Sequence, residues 1–70
     1  MKYLVIYEKT VTGYSAYVPD LPGCITTGPT LVATEQLMEE AIEFHLDGLR
    51  EDGLPIPEPT TDARYVEVPV

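Results

Sequence analysis

The chain has 70 residues, with 12 acidic against 4 basic side chains and a net charge of −8. That length allows one hydrophobic core rather than two, and a domain of about this size buries only roughly 60% of its unfolded surface. The acidic balance repels phosphate backbones, so direct nucleic-acid binding is not expected, and it suits a basic protein partner as well as plain solubility.

An apolar fraction of 44% with five tyrosines argues for a folded domain rather than a disordered acidic tail. The single cysteine, Cys24, forms no intrachain disulfide. Neither a basic start followed by a secretory apolar run nor an apolar stretch of the ~18 residues needed for a membrane span is present. A soluble cytoplasmic protein is expected, without membrane contact.

Residues 2–8, KYLVIYE, have strand length and strand composition. Tyr3, Val5 and Tyr7 fall on one face, Leu4 and Ile6 on the other. Both faces are apolar, which predicts a central strand with a helix on one side and further protein on the other. Thr10–Gly13 supplies a hairpin turn in which Gly13 is able to take positive φ. Residues 14–18, YSAYV, make the second strand.

The stretch YVPDLPGC, Tyr17–Cys24, is a corner. Pro19 and Pro22 fix their own φ and push the residues before them into extended geometry, so the strand neither continues as a ladder nor turns into a helix. Gly23 lets the chain swing, and Cys24–Thr27 resumes as a short third strand. Gly28-Pro29 ends it. Thr30 reads as an N-cap, and Ala33 stands where a capping box would place Glu. Leu31–Glu51 then predicts one helix about 30 Å long at ~1.5 Å per residue.

Leu37, Met38, Ala41, Ile42, His45, Leu46 and Leu49 form its apolar stripe, while Glu35, Glu39, Glu40, Glu43, Asp47 and Glu51 lie around the rest. Gly48 inside the pattern points to a close approach or a weak last turn. Asp52-Gly53 ends the helix with Gly53 at C′. Leu54–Pro59, LPIPEP, is an extended crossover. Ala63–Val68 is expected as a fourth strand beside the first, joined by a right-handed crossover. The predicted class is α+β, in the order β-β-β-α-β.

The ordered series Tyr3–Glu8, Gly13–Cys24, Gly28–Leu31, Glu40-Ala41-Ile42 to Leu49, Glu51-Asp52-Gly53 and Pro55–Pro59 resembles the HicB-like antitoxins over nearly the whole chain. The resemblance implies a fold like a truncated ribonuclease-H sheet. It also implies a partner, a small basic HicA-type toxin that cleaves messenger RNA. Glu35, Glu39 and Glu43 would then meet the toxin, with Leu21 and Pro22 adding apolar contact. Asp20 would either present charge to the partner or cap its own turn. Full-length relatives often carry a C-terminal DNA-binding domain. Here residues 1–70 are expected to form a single HicB-like domain without one.

No enzyme, cofactor or metal site is expected. A ribonuclease-H-like site needs carboxylates converging on two metal ions about 3.5–4 Å apart. The middle of the first strand holds Val5 and Ile6, with Glu8 only at its end. His45 is the only histidine and lies on the apolar stripe. Cys24 has no nearby base and reads as a small hydrophobe. A homodimer or larger assembly is expected, because one helix covers only one face of the first strand. An orphan structural or adaptor domain is the alternative, with a metal-dependent nuclease relic ranked after it.

Overall fold

A computed structural model describes residues 1–70. Three strands, β1 (Ile6–Lys9), β2 (Tyr14–Tyr17) and β3 (Ile25–Gly28), precede one helix, α1 (Leu31–Glu51). The strands form an antiparallel sheet in the order β1-β2-β3, with Tyr7 opposite Ala16 and Ala16 opposite Thr26. Helix α1 packs chiefly on β3 and β2. The α+β class, the antiparallel sheet and the long helix are as the sequence predicts.

The corner between β2 and β3 is two β-turns in succession. Leu21 N–H donates to Val18 O at 3.1 Å and Cys24 N–H to Leu21 O at 3.0 Å. Each turn has a proline at its second position, Pro19 and then Pro22, where a fixed φ is favourable. Gly23, at φ 85°, supplies the positive φ that the second turn demands. This geometry sends every third residue inward. Val18, Leu21 and Cys24 therefore make three of the five core side chains, with Ala16 and Met38.

Local chemistry sets both ends of α1. The Thr30 hydroxyl accepts from Ala33 N–H at 3.1 Å. At the other end Gly53 N–H donates to Arg50 O and Leu54 N–H to Leu49 O, with Gly53 at φ 67°, which is a Schellman closure. The buried face differs by one position from the predicted stripe. Thr34 is buried and Leu37 is 40% exposed. Thr34 tolerates burial because its hydroxyl donates to Thr30 O at 2.6 Å. Gly48 meets nothing where a Cβ would stand, so no close approach within the chain requires it.

Two further expectations are corrected, and Gly13 does not take the positive φ open to it. A Cβ there would come within 2.2 Å of Gly28 O, so close approach of the hairpin to the end of β3 selects glycine. The first strand is paired over Ile6–Lys9 rather than residues 2–8, because β2 ends at Tyr17 and residues 2–5 run past it. Ala63–Val68 is not a fourth strand. No backbone group of residues 55–70 takes part in a backbone–backbone hydrogen bond, and residues 60–70 are exposed throughout. Strand composition makes a segment able to pair, but the pairing partner confers the strand.

The segment after the helix is nonetheless anchored at its root. Tyr3 OH donates to Pro57 O. Asp20 accepts four hydrogen bonds from Thr60 and Thr61, one from each backbone N–H and one from each hydroxyl, at 2.7–3.1 Å. Beyond this clamp, residues 62–70 form an unpaired arm.

Candidate interaction surface

The phase that Thr30 sets for α1 turns Thr34, Met38 and Ile42 toward the sheet. Glu35, Glu39 and Glu43, each one residue further on, form a ridge along one flank. All three are exposed. Like charges four residues apart cost a helix roughly 0.2–0.5 kcal/mol per pair, so the ridge works against the stability of α1. It lies on the β1 side. The phenol of Tyr7 is pushed above its usual 10.0, by burial first and then by the charges of Glu35 and Glu39. No ion pair within the chain offsets the ridge: Arg50 pairs with Asp47 at 3.0 Å, Arg64 pairs with Asp62 at 2.9 Å, and Lys2 and Lys9 pair with no carboxylate.

The corner residues expected to meet a partner separate into different roles. Leu21 is fully buried, so the expected contact through it is corrected. The two turns place it in the core, and Pro22 alone of the apolar pair stays at the surface. Asp20 caps no turn of its own. Its carboxylate is engaged by Thr60 and Thr61, which hold it below the usual carboxylate range, Thr61 N–H foremost. Asp20 and the Glu35–Glu39–Glu43 ridge thus answer to different neighbours, the arm root in one case and Tyr7 in the other.

Two apolar features lay outside the sequence reading. The sheet face away from α1 carries a row across all three strands, Ile6 opposite Tyr17 and Tyr17 opposite Ile25, with Ile25 65% exposed. Cross-strand register, once drawn, would have shown it. On the helix flank opposite the ridge, Leu37 and Phe44 stand out, Phe44 at 81% exposure. A helical wheel places them together, each one residue before a member of the stripe, Met38 and His45.

No group of three or more His, Cys, Asp or Glu side chains comes together as a metal would need. Cys24 is buried with its sulfur 4.0 Å from that of Met38, and burial pushes its thiol up. His45 lies half-buried on α1. No helix is long and apolar enough to cross a membrane.

What the fold presents is therefore a set of surfaces: a carboxylate ridge, an uncovered apolar row and an unpaired edge. Residues 3–69 match the family described as HicB_like antitoxin of bacterial toxin-antitoxin system. The chain belongs to that family.

Among curated relatives, an uncharacterised 14.9 kDa protein of Haemophilus phage HP1 is 38% identical over 99% of this chain and 52% of its own length. Antitoxin HicB 2 of Photorhabdus laumondii is 34% identical over 99% of this chain and 50% of its own. The chain thus spans about half the length of these two relatives. A UPF0150 protein of Thermoplasma acidophilum is 40% identical over 81% of this chain and 84% of its own. A chain of the solved HicA3 and HicB3 toxin-antitoxin complex superposes with a TM-score of 0.74, at 37% identity over 86% of this chain and 70% of that one.

Proposed function

We propose that this chain is a cytoplasmic, non-enzymatic antitoxin domain that binds and neutralises a small basic HicA-type toxin by protein–protein contact. The observation that carries the reading is the ridge of Glu35, Glu39 and Glu43, exposed and without a counter-ion in a chain of net charge −8. Family membership and the likeness to a chain of a HicA–HicB complex support it. A basic, RNA-cleaving partner needs positive charge where phosphate binds, and a carboxylate ridge laid there both steers the encounter and occupies that ground. Pro22 adds apolar surface at the corner. Each exposed ion pair contributes little affinity, so the ridge acts mainly on the association rate.

Surface-plasmon kinetics with a purified HicA-type toxin test the proposal, using wild type and Glu39→Gln/Glu43→Gln. Association should slow in the double variant and fall steeply with added salt. Equal association rates in both proteins at every salt concentration would remove the ridge from the mechanism. The purified chain, incubated with RNA or RNA–DNA hybrid and Mg²⁺ or Mn²⁺, should show no cleavage. Cleavage that co-purifies with the chain would contradict the non-enzymatic role.

A further inference from the structure

Beside β1 the sheet has a free edge, since the strand order is β1-β2-β3 and nothing pairs on the far side. The arm runs along this edge without joining it. Between them lies a groove of about 560 Å³, with Leu4, Val5, Ile6 and Tyr7 on one bank and Ala63–Tyr65 on the other. On the β1 bank the backbone groups that face away from β2 have no partner strand, and residues 63–65 make no backbone–backbone hydrogen bond. An open groove edged by two extended backbones suits an extended chain rather than a compact ligand. Tyr65, Val66 and Val68 of the arm all stand in solvent, an unusual state for an alternating aromatic and β-branched stretch.

Charge narrows the choice of occupant. The chain has two lysines, Lys2 and Lys9, and they flank β1; neither forms an ion pair. Edge lysines discourage indiscriminate strand pairing and repel a basic strand, whereas a strand carrying a carboxylate meets them favourably. The arm carries Glu67, which has no ion-pair partner in the chain. We infer that the groove receives the arm of a second copy of this chain, residues 63–68 entering as a strand between β1 and the first copy's own arm.

Two-fold symmetry makes the exchange reciprocal, because each copy has one groove and one arm. The joined sheet then reads β3-β2-β1-arm-arm-β1-β2-β3, with the two arms antiparallel at its centre. Every edge that the single chain leaves open at β1 is closed. This inference does not depend on the antitoxin reading, and salt distinguishes the two. Two chains of net charge −8 repel each other, so screening strengthens self-association while it weakens capture of a basic toxin.

Light scattering of the full chain, from about 0.05 to about 0.5 M salt, should show a particle of twice the 7.8 kDa chain mass, more populated at the higher salt. In a mixture of labelled and unlabelled chains, isotope-filtered NMR should show contacts from residues 63–68 of one copy to Leu4–Tyr7 of the other. The inserted arm has a strand on each side, so Val66→Pro removes a ladder bond whichever way residue 66 faces. It should weaken the dimer at least about tenfold and leave the helical circular dichroism unchanged. A monomer at both ends of the salt range overturns the inference. A dimer joined elsewhere, such as through the Leu37 and Phe44 flank, or one indifferent to Val66→Pro, overturns it equally.

Discussion

Ile6–Lys9, IYEK, and Tyr65–Val68, YVEV, are close in composition and in alternation, yet the first is a strand and the second is an unpaired arm. The difference lies in what each meets. Tyr7 sits opposite Ala16 and packs toward Met38, so its row is paired along one edge and covered on one face. The arm has no partner strand, and it is tethered only behind its start, by the clamp at Thr60 and Thr61 and by the Tyr3 hydroxyl on Pro57 O. Strand formation here is a property of the neighbourhood, and a β-competent segment without one is a surface waiting for a partner.

The largest effect expected from this contrast is in the core. Leu21 is fully buried and joins the two turns of the corner to Met38 on the helix, so Leu21→Ala should destabilise by about 2–5 kcal/mol. For a domain of this size that is a large share of total stability, taken as ~0.05–0.15 kcal/mol per residue. Tyr65→Ala, measured at dilutions where the chain is a single copy, should stay within about 0.5 kcal/mol. Urea unfolding followed by circular dichroism checks both. Leu21→Met, which conserves volume, should retain the fold at a cost below about 1.5 kcal/mol, separating lost packing from any special role of the residue. A cost for Tyr65→Ala equal to that of Leu21→Ala would erase the distinction between the two regions.

A smaller effect, of opposite sign, is expected at Gly48. Nothing within 4 Å would meet an added Cβ and the position lies inside α1, in its last turn, so Gly48→Ala should stabilise by about 0.5–1 kcal/mol. The parallel change in the arm, Ala63→Gly, should shift the melting temperature by nothing measurable, because residue 63 belongs to no element. If Gly48→Ala gave no gain, the open space beside residue 48 would have to be filled in solution by something other than this chain.

The elements that local chemistry decides were legible from the residues alone. Thr30 and Gly53 act at the ends of α1 as their side chains dictate, and the two prolines with Gly23 make the corner. Features that depend on distant neighbours were not. The arm's state turned on the absence of a partner, which composition cannot express. Leu21 reads as surface when flanked by Asp20 and Pro22, residue types common in exposed loops, and only the spacing of turn ends at Val18, Leu21 and Cys24 reveals why it points inward. Of the candidate contact residues, the exposure of Glu35, Glu39 and Glu43 follows from helical phase. The engagement of Asp20 by residues forty positions away has no local signature.

That engagement supplies the most local prediction. Hydrogen bonds from Thr61 N–H and the Thr61 hydroxyl, with smaller contributions from Thr60, hold the Asp20 carboxyl below its usual 3.8. The depressed value belongs to the folded state, so the clamp's contribution is fully present above the ordinary carboxylate range and is lost as pH falls through the lower folded value. In NMR titrations the Thr60 and Thr61 amide protons should shift with a midpoint below 3.8 and exchange faster beneath it. The Ala33 amide, bonded to a Thr30 hydroxyl that does not titrate, should be steady through the same step. Both amides donate to the same carboxylate oxygen, which the Asn carbonyl of Asp20→Asn can replace, so their titration step should vanish while the bonds remain. A step that survives in Asp20→Asn would assign the titration to another carboxylate. The arm root would then need a different anchor, since no other side-chain hydrogen bond within the chain holds Thr60 or Thr61.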